Sequence, residues 1–325
     1  MKILKSRYLT YVIIGLILAS LPVLNEMGLV RSATVSTFGT IVFYAIAALG
    51  LNVLLGYSGL VSLGTAGFMG LGAYLSTHLT LEMGLSFWVA LPIVVAIPTI
   101  IGLLVGLVSL RLAGMYLAIA TLAVAEVARQ IFIEIWGFAS YRPNHPDVFV
   151  TFLERDGTYW LLVMFLVILM ILTDNFIHSP IGRAFLTMRA SEPAAQAMGI
   201  NLLKYKLMAF GIATAYAALA GMLYAHFIRA VNPDPWTLLL SLQILAVIVI
   251  GGFKTITGPI IGSFIVFGVP PLILNQLPVI GDIAGLPFIF NGLLIILVIL
   301  FYPRGLVYMG HDLKRLFKKK EVRSS

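Results

Sequence analysis

From Tyr8 to Tyr302 the chain is a succession of long apolar runs separated by short polar breaks, a pattern that restricts its backbone more than any motif does. In hydrocarbon no water pairs the exposed N–H and C=O groups, so each run has to close its hydrogen bonds internally, as a helix. The runs extend from Tyr8 to Leu24, Phe38 to Leu55, across the glycine-rich 56–80, then Phe87 to Leu110, Leu112 to Ile135, Tyr159 to Thr173, Leu207 to Ile228, Leu238 to Gly251, Ile256 to Val269 and Phe288 to Tyr302, giving ten spans. Several fall short of the roughly 20 residues of a straight crossing. The stretch from Leu238 to Val269, interrupted by Lys254, Gly258 and Pro259, reads either as two spans or as a re-entrant hairpin. Composition excludes a soluble globule, because 60% of the 325 residues are hydrophobic and only 10% are charged. The expected fold is an all-α polytopic membrane protein of about ten transmembrane helices, some of them short or re-entrant. It forms a single transmembrane domain over residues 1–325, with N-terminal helices in 8–173, a loop in 174–206, C-terminal helices in 207–302 and a basic tail in 303–325.

The first run follows Lys2, Lys5 and Arg7 and could be a secretory signal. A transmembrane helix is the better reading, because no small-x-small cleavage pattern follows and removing it would leave an odd number of spans. Ten spans place both termini and the 174–206 loop on one side. Of 21 Lys and Arg residues, all but Arg31, Arg129, Arg142, Arg155 and Arg229 fall on that side, which leaves 16 and marks it as cytoplasmic. Trp88, Trp136, Trp160 and Trp236 all fall at expected outer ends, where an amphipathic ring suits the headgroup layer. The net charge of +8 therefore speaks of membrane orientation and of lipid, not of nucleic acid.

Between the two apolar halves lies the polar break 181–206. Ser191 is a good helix N-cap, Glu192 and Pro193 suit a first turn, and Gly199 suits a left-handed C′ position, so a helix of about two turns is expected. It would present Ala194, Ala195, Ala197 and Met198 as a small apolar surface framed by Arg183, Arg189, Lys204 and Lys206. Such a surface is either an amphipathic helix resting on the membrane or its own subunit, or a docking knob for a separate cytoplasmic protein. Two other features concern the helix bundle. Ser58, Ser62, Ala66 and Gly70 recur every four residues and would form one small-residue face, suited to close packing or to lining a path; Ala213, Ala217, Gly221 and Ala225 repeat the theme. Glu126 and Arg129, three apart within a span, would pair with each other or contact substrate. His226 and Arg229 would reach the headgroups.

Catalytic chemistry is not written here. The sequence holds no P-loop, no H-E-x-x-H and no G-x-S-x-G; it has no cysteine, and its five histidines are scattered, so no metal site and no cofactor are expected. A chain of this kind that moves a solute uphill would draw on a coupled ion or on a partner that hydrolyses nucleotide, whereas a structural membrane subunit would move nothing.

Three stretches carry a resemblance over nearly the whole chain, from about Phe38 to Tyr308. GLNVLLGYSGLVSLGTAGFMGLGAYL, RLAGMYLAIATLAVAEVARQIF and SPIGRAFLTMRASEPAAQAMGIN resemble the permease subunits of bacterial branched-chain amino acid ABC importers, of the LivM type. The third resembles the ATPase-coupling loop of ABC permeases, which reads Glu-Ala-Ala, three residues, Gly. This chain departs from it by inserting Pro193 between Glu192 and Ala194, and Gly199 matches the pattern more firmly than Glu192. The resemblance implies a cytoplasmic coupling helix formed by Ser191, Glu192, Ala194, Ala195, Met198 and Gly199. It also implies a second homologous permease, two cytoplasmic ABC ATPases, a periplasmic solute-binding protein, an amino-acid substrate, and a multi-pass location in the bacterial inner membrane.

Overall fold

The computed structural model describes residues 2–109, 115–136, 154–273, 285–301 and 305–307. Among the described residues the regular structure is helical, without a β-strand. The helices in chain order are α1 (Lys2–Ala19), α2 (Leu21–Glu26), α3 (Ser32–Leu51), α4 (Thr65–Thr77), α5 (Phe87–Ser109), α6 (Met115–Trp136), α7 (Glu154–His178), α8 (Pro180–Ala190), α9 (Glu192–Ala197), α10 (Leu202–Ile228), α11 (Leu238–Gly251), α12 (Gly258–Ser263), α13 (Val269–Leu272) and α14 (Leu286–Phe301). Wider π-helical turns extend α3 through Asn52–Tyr57 and α4 through His78–Glu82, and join α12 to α13 through Phe264–Gly268. Among the described residues six segments are long and apolar enough to cross a membrane: Arg7–Glu26, Ser32–Tyr57, Phe87–Leu107, Met115–Ile135, Asp156–His178 and Leu202–Ile228. Leu238–Gly251, Gly258–Leu272 and Ile289–Val298 are apolar but shorter. At 1.5 Å per residue α11 reaches only about 21 Å, less than the roughly 30 Å of hydrocarbon. The chain is thus a polytopic membrane protein in which, among the described residues, six of the ten expected runs meet the length for a span.

α10 is the hub. Its packing on α3, α4 and α5 is the most extensive among the described residues, and small residues allow it. A Cβ on Gly221 would collide with the carbonyl of Met69, and one on Gly72 with the backbone of Ala218, so the backbones of α4 and α10 touch, as helices do where lipid supplies no hydrophobic drive. The outer face of the bundle turns Leu16, Leu104, Ile119 and Leu300 outward, as lipid requires.

The four-residue row on the third run does not form one helical face. Gly59 takes φ +79°, a conformation that ends a helix, and the backbone stays unwound through 58–64 before α4 begins. Ser58 and Ser62 therefore lie in or beside the break, while Ala66 and Gly70 belong to α4. All four are buried, Gly70 against Phe132 and Trp236. Irregular backbone inside a membrane protein has to be paired by protein, and here it is. The Leu63 N–H donates to Thr121 Oγ1 (3.0 Å), the Gly64 N–H to Ser62 Oγ (3.3 Å) and the Ala66 N–H to Ser241 Oγ (3.1 Å).

Two expected interfacial anchors also lie elsewhere. Residues 229–237 fold back into the bundle, so Trp236 is 1% exposed and packs against Gly70 and, edge-on, Tyr224. His226 is buried, 2.8 Å from Ser76 Oγ and edge-on to Phe87, and does not reach the surface. Trp160 is half-buried and donates to the Ala19 carbonyl (3.0 Å), Trp88 is exposed, and the Trp136 side chain lies outside the described residues.

The helix ends sort into two groups. One end gathers Arg7, Tyr57, the close of α7 at His178, Leu186 on α8 and the 254–257 turn around one cavity. Gly305, which follows α14, sits against Gly251 and Gly252 at that same end. The other end carries the Leu18 and Ala19 carbonyls, which accept from Tyr159 Oη and Trp160 Nε1, and the Ser76 and His226 pair.

Candidate functional site

The polar break folds into two short helices. Pro180 occupies the first turn of α8, and Ser179 caps it by accepting from the Ile181 N–H (3.2 Å). Gly182, Ala184, Phe185 and Met188 face inward, leaving Arg183 and Leu186 outside. Sequence reasoning did not separate this helix from its neighbours, although Ser179-Pro180 is a cap followed by an N1 proline. Ser191 then ends α8 in extended geometry and caps α9, its Oγ accepting from the Ala194 N–H (3.3 Å). Gly199 has φ +78°, its N–H bonds to the Gln196 carbonyl (2.9 Å), and the Ile200 N–H reaches back to Ala195 (3.0 Å), which stops α9 after six residues. Asn201 starts α10 by accepting from the Lys204 N–H (3.1 Å).

This arrangement gives α9 two faces. Ala194, Gln196, Ala197 and Met198 are exposed, Met198 at 65%, whereas Ala195 is 0% exposed and belongs to the subunit's own core. The expectation that Ala195 lies on the outward surface does not hold, because a helix this short, closed at both ends by caps, has to bury one side to be held at all. Glu192 is exposed but tied to Lys206 of the same chain, with Nζ 2.6 Å from Oε1. Lys206 and Glu192 thus brace the start of α9 against the second turn of α10.

Arg189 links this element to the bundle. Its stem runs beneath the unwound segment so closely that a Cβ on Gly59 would lie 2.9 Å from Arg189 Cγ. Burial holds its guanidinium below the ordinary pKa, as expected for a cation that loses water, and its Nη1 finds no partner among the described residues. α8 therefore packs directly against the break at 58–64.

Only a small void borders the break before α4 where Ser62 and Thr65 face α10. The void between Leu54, Ser62, Thr65, Phe68, Phe210, Ala213, Thr214 and Ala217 measures about 10 Å³, room for about one water. Hydrogen bonds from the end of α3 hold the backbone of the α11–α12 break. Asn52 on the π-helical end of α3 donates to the Thr255 carbonyl (2.7 Å), and Tyr57 Oη donates to the Lys254 carbonyl (2.7 Å).

Glu126 and Arg129 pair on α6, with Nη2 2.7 Å and Nε 3.0 Å from the same Oε1. One turn on, Gln130 donates to Glu134 (3.2 Å). Glu126, Gln130 and Glu134 are exposed and Arg129 partly so, and at 100° per residue they form one polar stripe beside the apolar flank of Val127, Ile131 and Ile135. Among the described residues no cluster of three metal-ligating side chains occurs.

Comparison with known proteins adds the following. The profile of the family described as branched-chain amino acid transport system / permease component matches residues 33–302. The high-affinity branched-chain amino acid transport system permease protein LivM of Salmonella typhimurium is 31% identical over 317 residues, 89% of this chain and 72% of that protein. LivM of Escherichia coli is 31% identical over 310 residues, 86% of this chain and 71% of its own length. A probable branched-chain amino acid transport permease protein LivM of Methanocaldococcus jannaschii is 26% identical over 315 residues, 81% and 90% of the two chains. No solved structure gives a significant match.

Proposed function

Because this chain belongs to the branched-chain amino acid transport permease family, we propose that it is the membrane-spanning subunit of an ABC importer for branched-chain amino acids. Its path is formed with a second, related permease; two cytoplasmic ATPases drive it, and a periplasmic solute-binding protein delivers the substrate. The subunit sits in the cytoplasmic membrane with ten membrane-embedded segments and both termini inside. In support of that sidedness, Arg7, Lys254, Gly305 and α8 gather at one end of the bundle, the end to which the positive-inside rule assigns the basic loops.

The observation that carries the proposal is the two-faced α9. A surface helix resting on lipid needs no small, smooth outward face, whereas a helix seated in a partner's groove does. Closure of the ATPases on ATP would move the seated helix, and Arg189 would pass that movement to the unwound segment under Gly59. The polar stripe on α6 is assigned to the face shared with the second permease, since Glu126 and Arg129 in contact with acyl chains would cost several kcal/mol. Selectivity then rests mainly with the binding protein, and this stripe offers charged and amide groups to a passing zwitterion.

The test is substitution on the two faces. Ala194→Arg places a charge in the docking groove and is expected to abolish ATPase co-purification, a loss on the order of 3 kcal/mol, while the permease stays folded in the membrane. On a helix lying on lipid the same arginine would snorkel, and ATPase association would stay normal, which would remove α9 from the mechanism.

A further inference from the structure

At the end of the bundle that carries α8 and α9, the structure holds a cavity of about 410 Å³ lined by Arg7, Tyr11, Asp174, His178, Lys254 and Ile256, among others. We propose that this cavity binds the phosphate group of an anionic phospholipid from the adjoining leaflet, and that the bound headgroup ties α1, the α7–α8 junction and the 252–257 turn together. The size lies within the range of small-molecule sites.

The charge balance favours an anion. Arg7 Nη1 lies 2.6 Å from His178 Nε2, and His178 Nδ1 lies 2.8 Å from the Asp174 carbonyl oxygen. Arg7 thus rests on an imidazole, not a carboxylate, and among the described residues neither it nor Lys254 forms an ion pair. The one carboxylate in the wall, Asp174, is buried and already engaged, accepting from Tyr11 Oη (3.3 Å) and lying 3.3 Å from His178 Nδ1. Two cations against one carboxylate leave one positive charge in excess.

The backbone argues in the same direction. Lys254 has φ +60°, one of two non-glycine residues with positive φ among the described residues, in a turn otherwise rich in glycine. Asn52 and Tyr57 hold it there, accepting from its N–H (3.3 Å) and donating to its carbonyl (2.7 Å). A lysine kept where glycine fits better is kept for its side chain.

A lipid suits the surroundings better than a free solute does. Ile177, Leu186 and Ile256 make part of the wall apolar, and the cavity lies where the α1 span begins and α7 ends, at headgroup depth for these spans. From Arg7 onward α1 turns Leu9, Ile13, Leu16 and Ile17 outward, a surface for the acyl chains of the same molecule.

The experiment uses the full chain in nanodiscs of phosphatidylcholine with and without phosphatidylglycerol, with native mass spectrometry to count retained lipid and thermal unfolding as a second readout. Retained phosphatidylglycerol and a raised unfolding temperature are expected for the parent chain. Lys254→Gly, which relieves the backbone while removing the ammonium, and Arg7→Gln should each weaken retention by about five- to tenfold. Lys204→Gln, an exposed cation outside the cavity, should not. Equal retention in Lys254→Gly and the parent would overturn the proposal. Protection by inorganic phosphate or by leucine in pure phosphatidylcholine, matching that of phosphatidylglycerol, would also overturn it, because the occupant would then be a free anion or the transported solute.

Discussion

Gly59→Ala tests the link between the docking element and the bundle. Gly59 has φ +79°, and an L-residue held there costs about 1–2 kcal/mol. The added methyl would also lie 2.9 Å from Arg189 Cγ and 3.4 Å from Arg189 Cβ, which forces the arginine stem aside at a cost on the order of 1 kcal/mol. The sum, about 2–3 kcal/mol, shifts the seating of α8 under the unwound segment by roughly 30- to 150-fold. The fold should survive, because the change acts on a loop at the end of the bundle and not on the α4–α10 contact. The assay is ATP-driven uptake by the assembled transporter in proteoliposomes, measured beside its ATP hydrolysis. Uptake per ATP is expected to fall at least several-fold while hydrolysis continues. In the double variant with Arg189→Ala the steric part disappears and the backbone part remains, so the two changes should be non-additive by on the order of 1 kcal/mol. Normal uptake in Gly59→Ala, or strict additivity with Arg189→Ala, would refute the idea that α8 acts through this contact.

Other outcomes follow from the same geometry. In the cysteine-free background a cysteine at exposed Met83 should react with an impermeant thiol reagent added outside, and one at Gln196 should not; labelling of Gln196 in intact cells would invert the assigned sidedness. Gly221→Val should prevent folded protein from accumulating, since its side chain would occupy the Met69 carbonyl and force α4 from α10, and wild-type levels in the membrane would argue against that packing. Ala195→Arg should likewise reduce the amount of folded subunit, because Ala195 is 0% exposed.

What could be read from the sequence was local. Ser191 as N-cap and Gly199 as left-handed terminator are decided within a few residues of chain, and both are found with the expected conformations. The pairing of Glu126 with Arg129 is likewise a matter of spacing on one helix. What escaped depends on contacts between distant residues. Ala195 faces inward because the α8–α9 unit folds against α10, a side that the pattern Ala194, Ala195, Ala197 leaves undecided. Ser58 and Ser62 left the helical row because the helix breaks at Gly59, and glycine there is equally compatible with close helix packing. Trp236 looked like an interfacial anchor, yet residues 229–237 fold back so that its ring fills the space that Gly70 leaves. The hold of Asn52 and Tyr57 on the 254–255 backbone spans about two hundred residues and leaves no trace in local pattern.

The central claim is that this subunit transports only when ATPases seated on α9 drive it, and uptake of a branched-chain amino acid into proteoliposomes tests it most directly. With the second permease, the ATPases, the binding protein and ATP supplied, uptake should proceed and should stop when ATP is replaced by a non-hydrolysable analogue. Uptake by this chain alone, driven by a proton or sodium gradient, would contradict the account.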